Sequence, residues 1–296
     1  MSGASVVVVG GGVIGLALGW RLAEEGAQVI LVDAGAEAPA ATSAAAGMLA
    51  PSFEMSGGAV AEPLYDLCLA SLRRWPDFAQ RLEAATGVSI DFRRDGVMGL
   101  AFDAASAAAF AEAAAAIDVR GGNIRLLNAA RAKAREPAIS DKVVAALWAP
   151  DDAQVDPRLL TLALRRAIKR SGGVLVDGRV REVVLSPSGG LMATTQEGAT
   201  FLADAVVVAA GVAVGTIALP GPTPPIHPEK GEALALKCGT GGPSCVVRAP
   251  GAYLCPKADG RLVVGATAAP HETSLDPRAA AIDGLKAAAA AAPAVA

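Results

Sequence analysis

The sequence is poor in the side chains that build metal centres and nucleophilic triads. It has four cysteines, two histidines and 4% aromatic residues among 296. His227 and His271 lie in proline-flanked loops without ligand spacing, so no metal site is expected. No C-x-x-C pair occurs, and the cysteines are expected to be reduced, buried thiols; a zinc site or a disulfide among the last three stays open. No G-x-S-x-G elbow occurs, which disfavours an acyl-transfer triad.

The chain also lacks an excess of one charge and a long uninterrupted apolar run. Its 26 basic and 29 acidic residues give a net charge of −3, which excludes the basic footprint of a nucleic-acid-binding protein. A membrane span needs about 20 consecutive apolar residues. The best run, Val6–Trp20, contains three adjacent glycines and meets Arg21, so no membrane span is expected. No basic residue precedes this run, so it is a poor signal peptide, and we expect a cytoplasmic protein.

What the sequence does have is a clear β-α-β beginning. Ser5–Val9 is a continuous β-branched run, typical of a central parallel strand covered on both faces. Val13–Glu25 has helical composition and ends at Gly26, and Gln28–Val32 is the second strand. The order predicts a right-handed crossover and a parallel sheet.

Between the first strand and the helix lies a G-x-G-x-x-G motif made by Gly10, Gly12 and Gly15. These glycines permit the tight turn, the approach of the backbone to a pyrophosphate and the packing of the helix on the strand. The helix N-terminus supplies N–H donors to phosphate. Asp33 ends the second strand, 33 − 15 = 18 residues after Gly15, where a carboxylate accepts hydrogen bonds from ribose and repels the 2′-phosphate of NADP. The motif leaves FAD and NAD as alternatives.

The remaining patterns predict β-rich segments that interrupt an α/β frame. The run 89–102 with Asp95-Gly96 at its centre predicts a hairpin, and 63–87 predicts a helix broken or kinked at Pro76. Further predicted elements are a helix that starts at Asp156-Pro157, a strand at Lys230–Lys237 and a last helix opened by Asp276-Pro277.

The expected fold class is therefore α/β. A Rossmann-like domain with a parallel sheet is interwoven with an α+β substrate domain whose sheet is mostly antiparallel. We assign residues 1–87 and 150–219 to the first domain and residues 88–149 and 220–296 to the second.

Several segments resemble one family. They are GGGVIG at 10–15, VDAG at 32–35, ATSAAAGMLAP at 41–51, PDDAQVDP at 150–157, KGE at 230–232, and YLCPK with GRLVVGAT at 253–267. Together they resemble the D-amino-acid-oxidase superfamily of FAD enzymes, and most of all the glycine oxidases of thiamine biosynthesis. The resemblance implies FAD as the cofactor. It covers essentially the whole chain.

The resemblance also implies roles for single residues. Residues at the positions that hold FAD in that family are Val13, Ile14, Asp33, Ala34, Thr42, Ser43, Ala46, Gly47 and Met48. Val180 matches a backbone contact to the adenine end. Tyr253 matches a tyrosine that helps to hold the substrate carboxylate, and we take it as the catalytic-site residue.

The chain departs from this family in one respect. Relatives carry a W-A-G-L-R-P-type motif, whose arginine pairs with the substrate carboxylate, and a G-H-x-R-x-G-type segment over the flavin. Neither occurs here. Arg248 and Arg261 flank Tyr253 in sequence, but neither matches the family's arginine. We therefore expect a shortened chain that turns over glycine poorly.

The function that the resemblance implies is oxidative deamination of glycine or another small amine or amino acid, with O₂ as acceptor and an oxo-acid, ammonia and hydrogen peroxide as products, within thiamine (thiazole) biosynthesis. Two alternatives stay open. One is a related D-amino-acid oxidase or dehydrogenase, and the other is an FAD-binding fragment without catalysis. The sequence also leaves a homo-oligomer open.

Overall fold

The computed structural model describes residues 3–35, 41–56, 62–239 and 241–292. The helices are α1 (Val13–Glu24), α2 (Ala41–Ala44), α3 (Pro51–Ser56), α4 (Glu62–Thr86), α5 (Ala104–Asp118), α6 (Ala129–Arg135), α7 (Pro157–Arg170) and α8 (Ala279–Ala291), with a 3-10 helix at Gly211–Thr216. The strands of the first half are β1 (Ser5–Val9), β2 (Gln28–Asp33), β3 (Met48–Leu49), β4 (Val97–Ala101), β5 (Arg125–Asn128), β6 (Ala145–Ala149), β7 (Ala153–Gln154), β8 (Val174–Asp177) and β9 (Val180–Leu185). Those of the second half are β10 (Leu191–Thr195), β11 (Thr200–Ala203), β12 (Ala205–Val208), β13 (Glu229–Lys230), β14 (Ala233–Lys237), β15 (Val246–Ala249), β16 (Ala252–Pro256), β17 (Arg261–Gly265) and β18 (Ala269–Pro270).

A four-stranded parallel sheet contains the chain's first strand at its centre. Its order is β12-β1-β2-β8, and every pair is parallel. Alternate side chains of β1 point to opposite faces, so Val6 and Val8 pack against helices α1 and α7, while Val7 and Val9 pack against the antiparallel sheet β9-β10-β11. The predicted β-α-β unit and its parallel sheet are confirmed.

The second large sheet has seven strands in the order β14-β17-β16-β15-β4-β6-β5. Only β15 and β4 run parallel to each other, and the other neighbours are antiparallel. One face packs against α8 through Val247, Leu254 and Leu285. The opposite face, here called the inner face, packs against residues 46–53. The predicted α/β fold with a mostly antiparallel second sheet is confirmed, whereas the division into two domains stays a prediction.

The predicted hairpin at residues 89–102 is wrong. Gly96 does adopt the left-handed conformation, with φ of +80°. However, β4 pairs with β15 and β6, and Arg93 forms a bridge with Gln154 instead. The residues on the two sides of the turn therefore do not pair with each other. Each side pairs with residues from a more distant part of the chain.

Two helix predictions also need correction. Helix α4 continues through Pro76, so the predicted break is wrong, while the alternative of a kink stays a prediction. The helix packs against α3 and α7. Helix α8 begins at Ala279 and not at Asp276-Pro277. Its N-cap, Arg278, is kept extended because its backbone N–H and its guanidinium both donate to the carboxylate of Glu232.

The strand predicted at Lys230–Lys237 is two strands. Glu229–Lys230 pairs with Ala269–Pro270, and Ala233–Lys237 joins the seven-stranded sheet. The cysteines are free thiols, but only Cys245 and Cys255 are buried; Cys68 and Cys238 are half-buried. Among the described residues, no helix is long and apolar enough to cross a membrane. In the same part of the chain, no three His, Cys, Asp or Glu side chains come together as metal ligands would.

Candidate functional site

The glycine turn is closed by backbone contacts that tolerate no side chain. Gly10 has φ of +109°, and a Cβ there would overlap the carbonyl of Ala209, which follows β12. A Cβ on Gly15 would overlap the carbonyl oxygen of Gly10. These two glycines therefore shape the turn itself, and their requirement does not depend on a ligand.

Gly12 lies in a different environment. Of the residues that the structure describes, none would come closer to a Cβ there than Thr42 Oγ1 at 3.4 Å, so they leave space above Gly12. Gly12 is the N-cap of α1 and has no side chain to accept from the first turn; the first helical N–H, that of Val13, donates to Thr42 Oγ1 at 3.0 Å. Ile14, the next residue, is 65% exposed. An open helix N-terminus beside an uncovered apolar side chain forms a cradle that fits a dinucleotide's pyrophosphate, and a Cβ would fill it.

Asp33 is held at the end of β2 by two backbone donors. Its Oδ2 accepts from the N–H of Gly11 at 2.6 Å, and its Oδ1 accepts from the N–H of Gly35 at 3.1 Å. A Cβ on Gly11 would come within 2.6 Å of the Asp33 carboxyl carbon. Gly11 is thus a residue that sequence reasoning missed, although three successive glycines gave a signal.

Val180 reaches the same edge of the parallel sheet. The N–H of Gly178 donates to the backbone oxygen of Asp33 at 2.8 Å, and the chain then turns into β9, where Val180 is buried. Ala34 follows Asp33 and is half-buried. The structure therefore brings Val180, Asp33 and the glycine turn together at the carboxyl ends of parallel strands, where nucleotides bind in this type of sheet.

The segment 41–51 connects this turn to the inner face. Thr42 and Ser43 lie in α2, and Thr42 contacts the turn as described. Ala46 is buried, and Gly47 has φ of +82° while its carbonyl oxygen accepts from Val155 N–H at 2.9 Å. Met48 then pairs with Gln154. The segment predicted to lie along the flavin is thus a well-anchored element and not a flexible loop.

A buried lysine, Lys257, which sequence reasoning missed, binds the residues that pair with this segment. Lys257 Nζ donates to the carbonyl oxygen of Val155 at 3.0 Å and to Gln154 Oε1 at 3.3 Å. Its Nζ is also 3.4 Å from Cys255 Sγ, whose pKa is raised by burial. Lys257 therefore fixes the strand on which Met48 rests. The only sequence signal was its place in the YLCPK segment.

Tyr253 lies on the inner face, in one apolar cluster with Ala46, Met48 and Phe53. Burial raises the pKa of its phenol, the nearby Cys255 adds to this, and the Arg248 guanidinium opposes both. The structure thus brings the predicted substrate residue to the same segment as the predicted flavin residues, although they are about 200 positions apart in sequence.

Close to this cluster lies a buried carboxyl group that sequence reasoning also missed. Asp152 is 2% exposed; its Oδ1 accepts from Ser52 Oγ at 3.0 Å, and its Oδ2 has no hydrogen-bond partner among the residues that the structure describes. Burial raises the pKa of Asp152 to about 7, although the Ser52 hydrogen bond opposes the shift. Burial and the field of Asp152 also raise the pKa of Tyr65, whose buried hydroxyl has no hydrogen-bond partner within the described part of the chain.

Comparison with known proteins agrees with this arrangement. The FAD dependent oxidoreductase (DAO) family matches residues 5–293. Glycine oxidase of Geobacillus kaustophilus is 33% identical over 269 residues, covering 90% of this chain and 70% of the relative. The bifunctional protein ThiO/ThiG of Synechocystis sp. is 33% identical over 280 residues, covering 90% of this chain.

Among solved structures, glycine oxidase from Geobacillus kaustophilus superposes with a TM-score of 0.88 at 29% identity, covering 99% of this chain and 79% of that one. The chain spans 40% of the length of the bifunctional relative. The resemblance inferred from the sequence, and FAD as the cofactor class, are confirmed. The chain belongs to the DAO family of FAD-dependent oxidoreductases.

Proposed function

We propose that this protein oxidatively deaminates glycine or another small amino acid, giving the oxo-acid, ammonia and hydrogen peroxide. The observation that carries the proposal is similarity to a glycine oxidase along 90% of the chain. The family match over residues 5–293 includes both the glycine turn and the Tyr253 strand. A role in thiamine biosynthesis is part of the proposal. It is supported by the printed name of the bifunctional relative and by the sequence resemblance.

We also propose where FAD binds. Gly10, Gly12 and Gly15 would form the turn that receives the pyrophosphate, and Asp33 would accept hydrogen bonds from the ribose beside Val180. The remaining predicted residues would line the path toward the flavin: Val13, Ile14, Ala34, Thr42, Ser43, Ala46, Gly47 and Met48. The chemistry that bound FAD supplies is acceptance of a hydride from the α-carbon and delivery of two electrons to O₂.

The protein's own residues would orient the substrate and exclude water. The phenol of Tyr253 would donate a hydrogen bond to the substrate carboxylate. The inner face and segment 46–53 would enclose the reacting carbon, because they already form one buried cluster. Orientation of this kind removes much of the entropic barrier to reaction. The two-domain division, O₂ as acceptor, a cytoplasmic location and a homo-oligomer remain proposals that rest on the sequence.

The test starts with the purified 296-residue chain, mixed with FAD and passed through gel filtration. Retained flavin absorption and release of hydrogen peroxide from glycine would support the proposal, and Tyr253→Phe should lower the peroxide rate. Glycine that bleaches the flavin without oxygen but yields no peroxide in air would indicate the alternative dehydrogenase. Flavin retention without bleaching by any amino acid contradicts the proposed reaction.

A further inference from the structure

Lys257, the residue after strand β16, is a buried cation whose contacts are with neutral groups. It is 5% exposed, and its Nζ donates to the carbonyl oxygen of Val155 at 3.0 Å, to Gln154 Oε1 at 3.3 Å and to Cys255 Sγ at 3.4 Å. An ammonium group has three N–H donors and no acceptor, so three acceptors satisfy it completely. Within the described part of the chain, Nζ has no carboxylate at ion-pair distance.

The groups around Nζ stay neutral for identifiable reasons. Burial raises the pKa of the Cys255 thiol, although the Lys257 charge opposes the shift, so no thiolate forms beside the ammonium. The Cys255 thiol donates to Gln154 Oε1 at 3.2 Å. The amide of Gln154 is oriented by Asp95, whose Oδ2 accepts from Nε2 at 3.4 Å, and this leaves Oε1 to face Lys257.

Two carboxylates near this cluster form their ion pairs with an arginine instead. Asp91 and Asp95 lie 2.9 Å and 3.1 Å from nitrogens of the Arg93 guanidinium. Asp91 Oδ2 also accepts from the N–H of Ala258 at 3.0 Å. The charge of Lys257 is therefore not cancelled by contact with an anion, and a buried charge of this kind is costly unless it serves a purpose.

Each acceptor of Lys257 belongs to a residue that also contacts residues 46–48, part of the segment proposed to lie along the flavin. The contacts are the Val155 N–H to the carbonyl oxygen of Gly47 at 2.9 Å, the β pair of Gln154 with Met48, and Cys255 Sγ to the carbonyl oxygen of Ala46 at 3.5 Å. A charge acts more strongly through a buried, weakly polarisable environment than through water. Residues 46–48 therefore lie in the field of Lys257, one layer of backbone away.

A positive charge at this place matches the charge that the proposed reaction creates. Hydride transfer places negative charge on bound FAD. A fixed positive charge near the place where negative charge develops stabilises the product of that step without any reorganisation of the protein. It makes the oxidised cofactor a stronger acceptor of hydride from the substrate.

We propose that the Lys257 ammonium raises the reduction potential of FAD bound along residues 46–48, an inference that rests on the proposed FAD site. Lys257 is a positioning residue in this role, because its three N–H donors are used by the protein and it acts on the cofactor through residues 153–155 and 46–48. A purely structural lysine would hold the same strands together without any effect of its charge on the potential.

The experiment uses the 296-residue chain reconstituted with excess FAD and two neutral variants, Lys257→Gln and Lys257→Met. Lys257→Arg keeps the charge. The matched control is Lys237→Gln, which removes an exposed lysine from β14, the edge strand of the same sheet. The readout is the midpoint potential of bound FAD, measured by slow reduction against a reference dye, so no amino acid has to be oxidised. Flavin absorption after reconstitution shows that each variant is folded.

We expect both neutral variants to lower the midpoint potential by about 30 mV or more, which corresponds to a roughly tenfold shift toward oxidised flavin. Lys257→Arg and Lys237→Gln should match the wild type. A change of less than about 9 mV in the neutral variants, equivalent to a twofold shift, overturns the inference. An equal fall in Lys257→Arg also overturns it, because packing and not charge would then set the potential. If the wild type oxidises no amino acid, the proposed function fails, and the potentials still decide the role of Lys257.

Discussion

The glycine turn and the inner face of the seven-stranded sheet both depend on glycine, but for different reasons. In the turn, Cβ atoms on Gly10 and Gly15 would meet backbone atoms. On the inner face, Cβ atoms on Gly99 and Gly265 would meet the rings of Phe53 and Tyr253. Backbone in a βα turn cannot move aside, whereas a side chain can change rotamer or be replaced. We therefore expect larger residues in place of the turn glycines to cost more stability than larger residues in place of the inner-face glycines.

The two regions also treat their carboxyl groups differently. Asp33 beside the turn uses both oxygens to accept backbone N–H groups. Asp152 has one oxygen that accepts from Ser52 and one buried oxygen to which no described residue donates. A buried, half-satisfied carboxyl costs stability once it ionises. The turn is thus built as a fully bonded cradle, while the inner face contains a stability cost that depends on pH.

The largest effect is expected for Gly15→Ala. Its Cβ would overlap the carbonyl oxygen of Gly10, so the free energy of unfolding should fall by about 4 kcal/mol or more, beyond the usual cost of overpacking. Gly284→Ala, in helix α8 with open space around it, is the control and should stabilise the protein by about 0.5–1 kcal/mol. Urea unfolding measures the free energy of unfolding of both variants. If Gly15→Ala proves as stable as Gly284→Ala, the turn is not rigid.

Asp152→Asn should change how stability depends on pH. The pKa of Asp152 rises from 3.8 to about 7 on folding, so the folded protein holds more protons between these values and wild-type stability falls as pH rises through this window. The amide keeps the acceptor for Ser52 and does not titrate. At pH 8 the variant should be more stable by about 4 kcal/mol, and near pH 4 the difference should shrink to less than about 1 kcal/mol. A difference that is independent of pH would refute the assignment.

Gly12→Val should separate folding from cofactor binding. The nearest atom to the new Cβ is Thr42 Oγ1 at 3.4 Å, so the stability of the cofactor-free protein should change little. The side chain would fill the space proposed for the pyrophosphate, and the Kd for FAD should rise roughly 100-fold, or about 2.7 kcal/mol. Thermal unfolding without FAD tests the expected stability, and a flavin fluorescence titration tests the expected Kd. Full retention of flavin after gel filtration would show that the site is elsewhere.

The smallest effect is expected for Gly99→Ala. Its Cβ meets the edge of the Phe53 ring, which can shift, so the cost should be about 1 kcal/mol. Phe53→Leu in the same chain should recover part of this loss, because the smaller side chain vacates the contact. A double-mutant cycle from urea unfolding gives the coupling between the two positions. If the stability losses of Gly99→Ala and Phe53→Leu simply add in the double variant, the Phe53 ring does not accommodate the new Cβ.

The glycine turn could be predicted because its parts are close in sequence. Gly10, Gly15 and Asp33 lie within one β-α-β unit, and their roles follow from local geometry. The packing of Tyr253 against segment 46–53 could not be predicted, since it depends on how β16, β15 and β4 pair across the second sheet. The hairpin predicted at residues 89–102 is wrong for the same reason, because its strands pair with distant parts of the chain. Asp95-Gly96 correctly predicts a turn, but which strands pair beside it is decided by distant apolar surfaces.

The contact between Gly10 and Ala209 has a consequence for synthesis on the ribosome. The glycine turn proposed to receive the pyrophosphate lies in the first 15 residues, yet it is closed by the residue after β12, which pairs with β1 across about 200 residues of chain. At roughly 5–20 residues per second, that strand emerges about 10–40 s after the turn. During this interval the nascent chain exposes the unpaired edge of β1 and lacks a finished cofactor site. FAD should therefore act late in maturation, by stabilising a nearly complete fold.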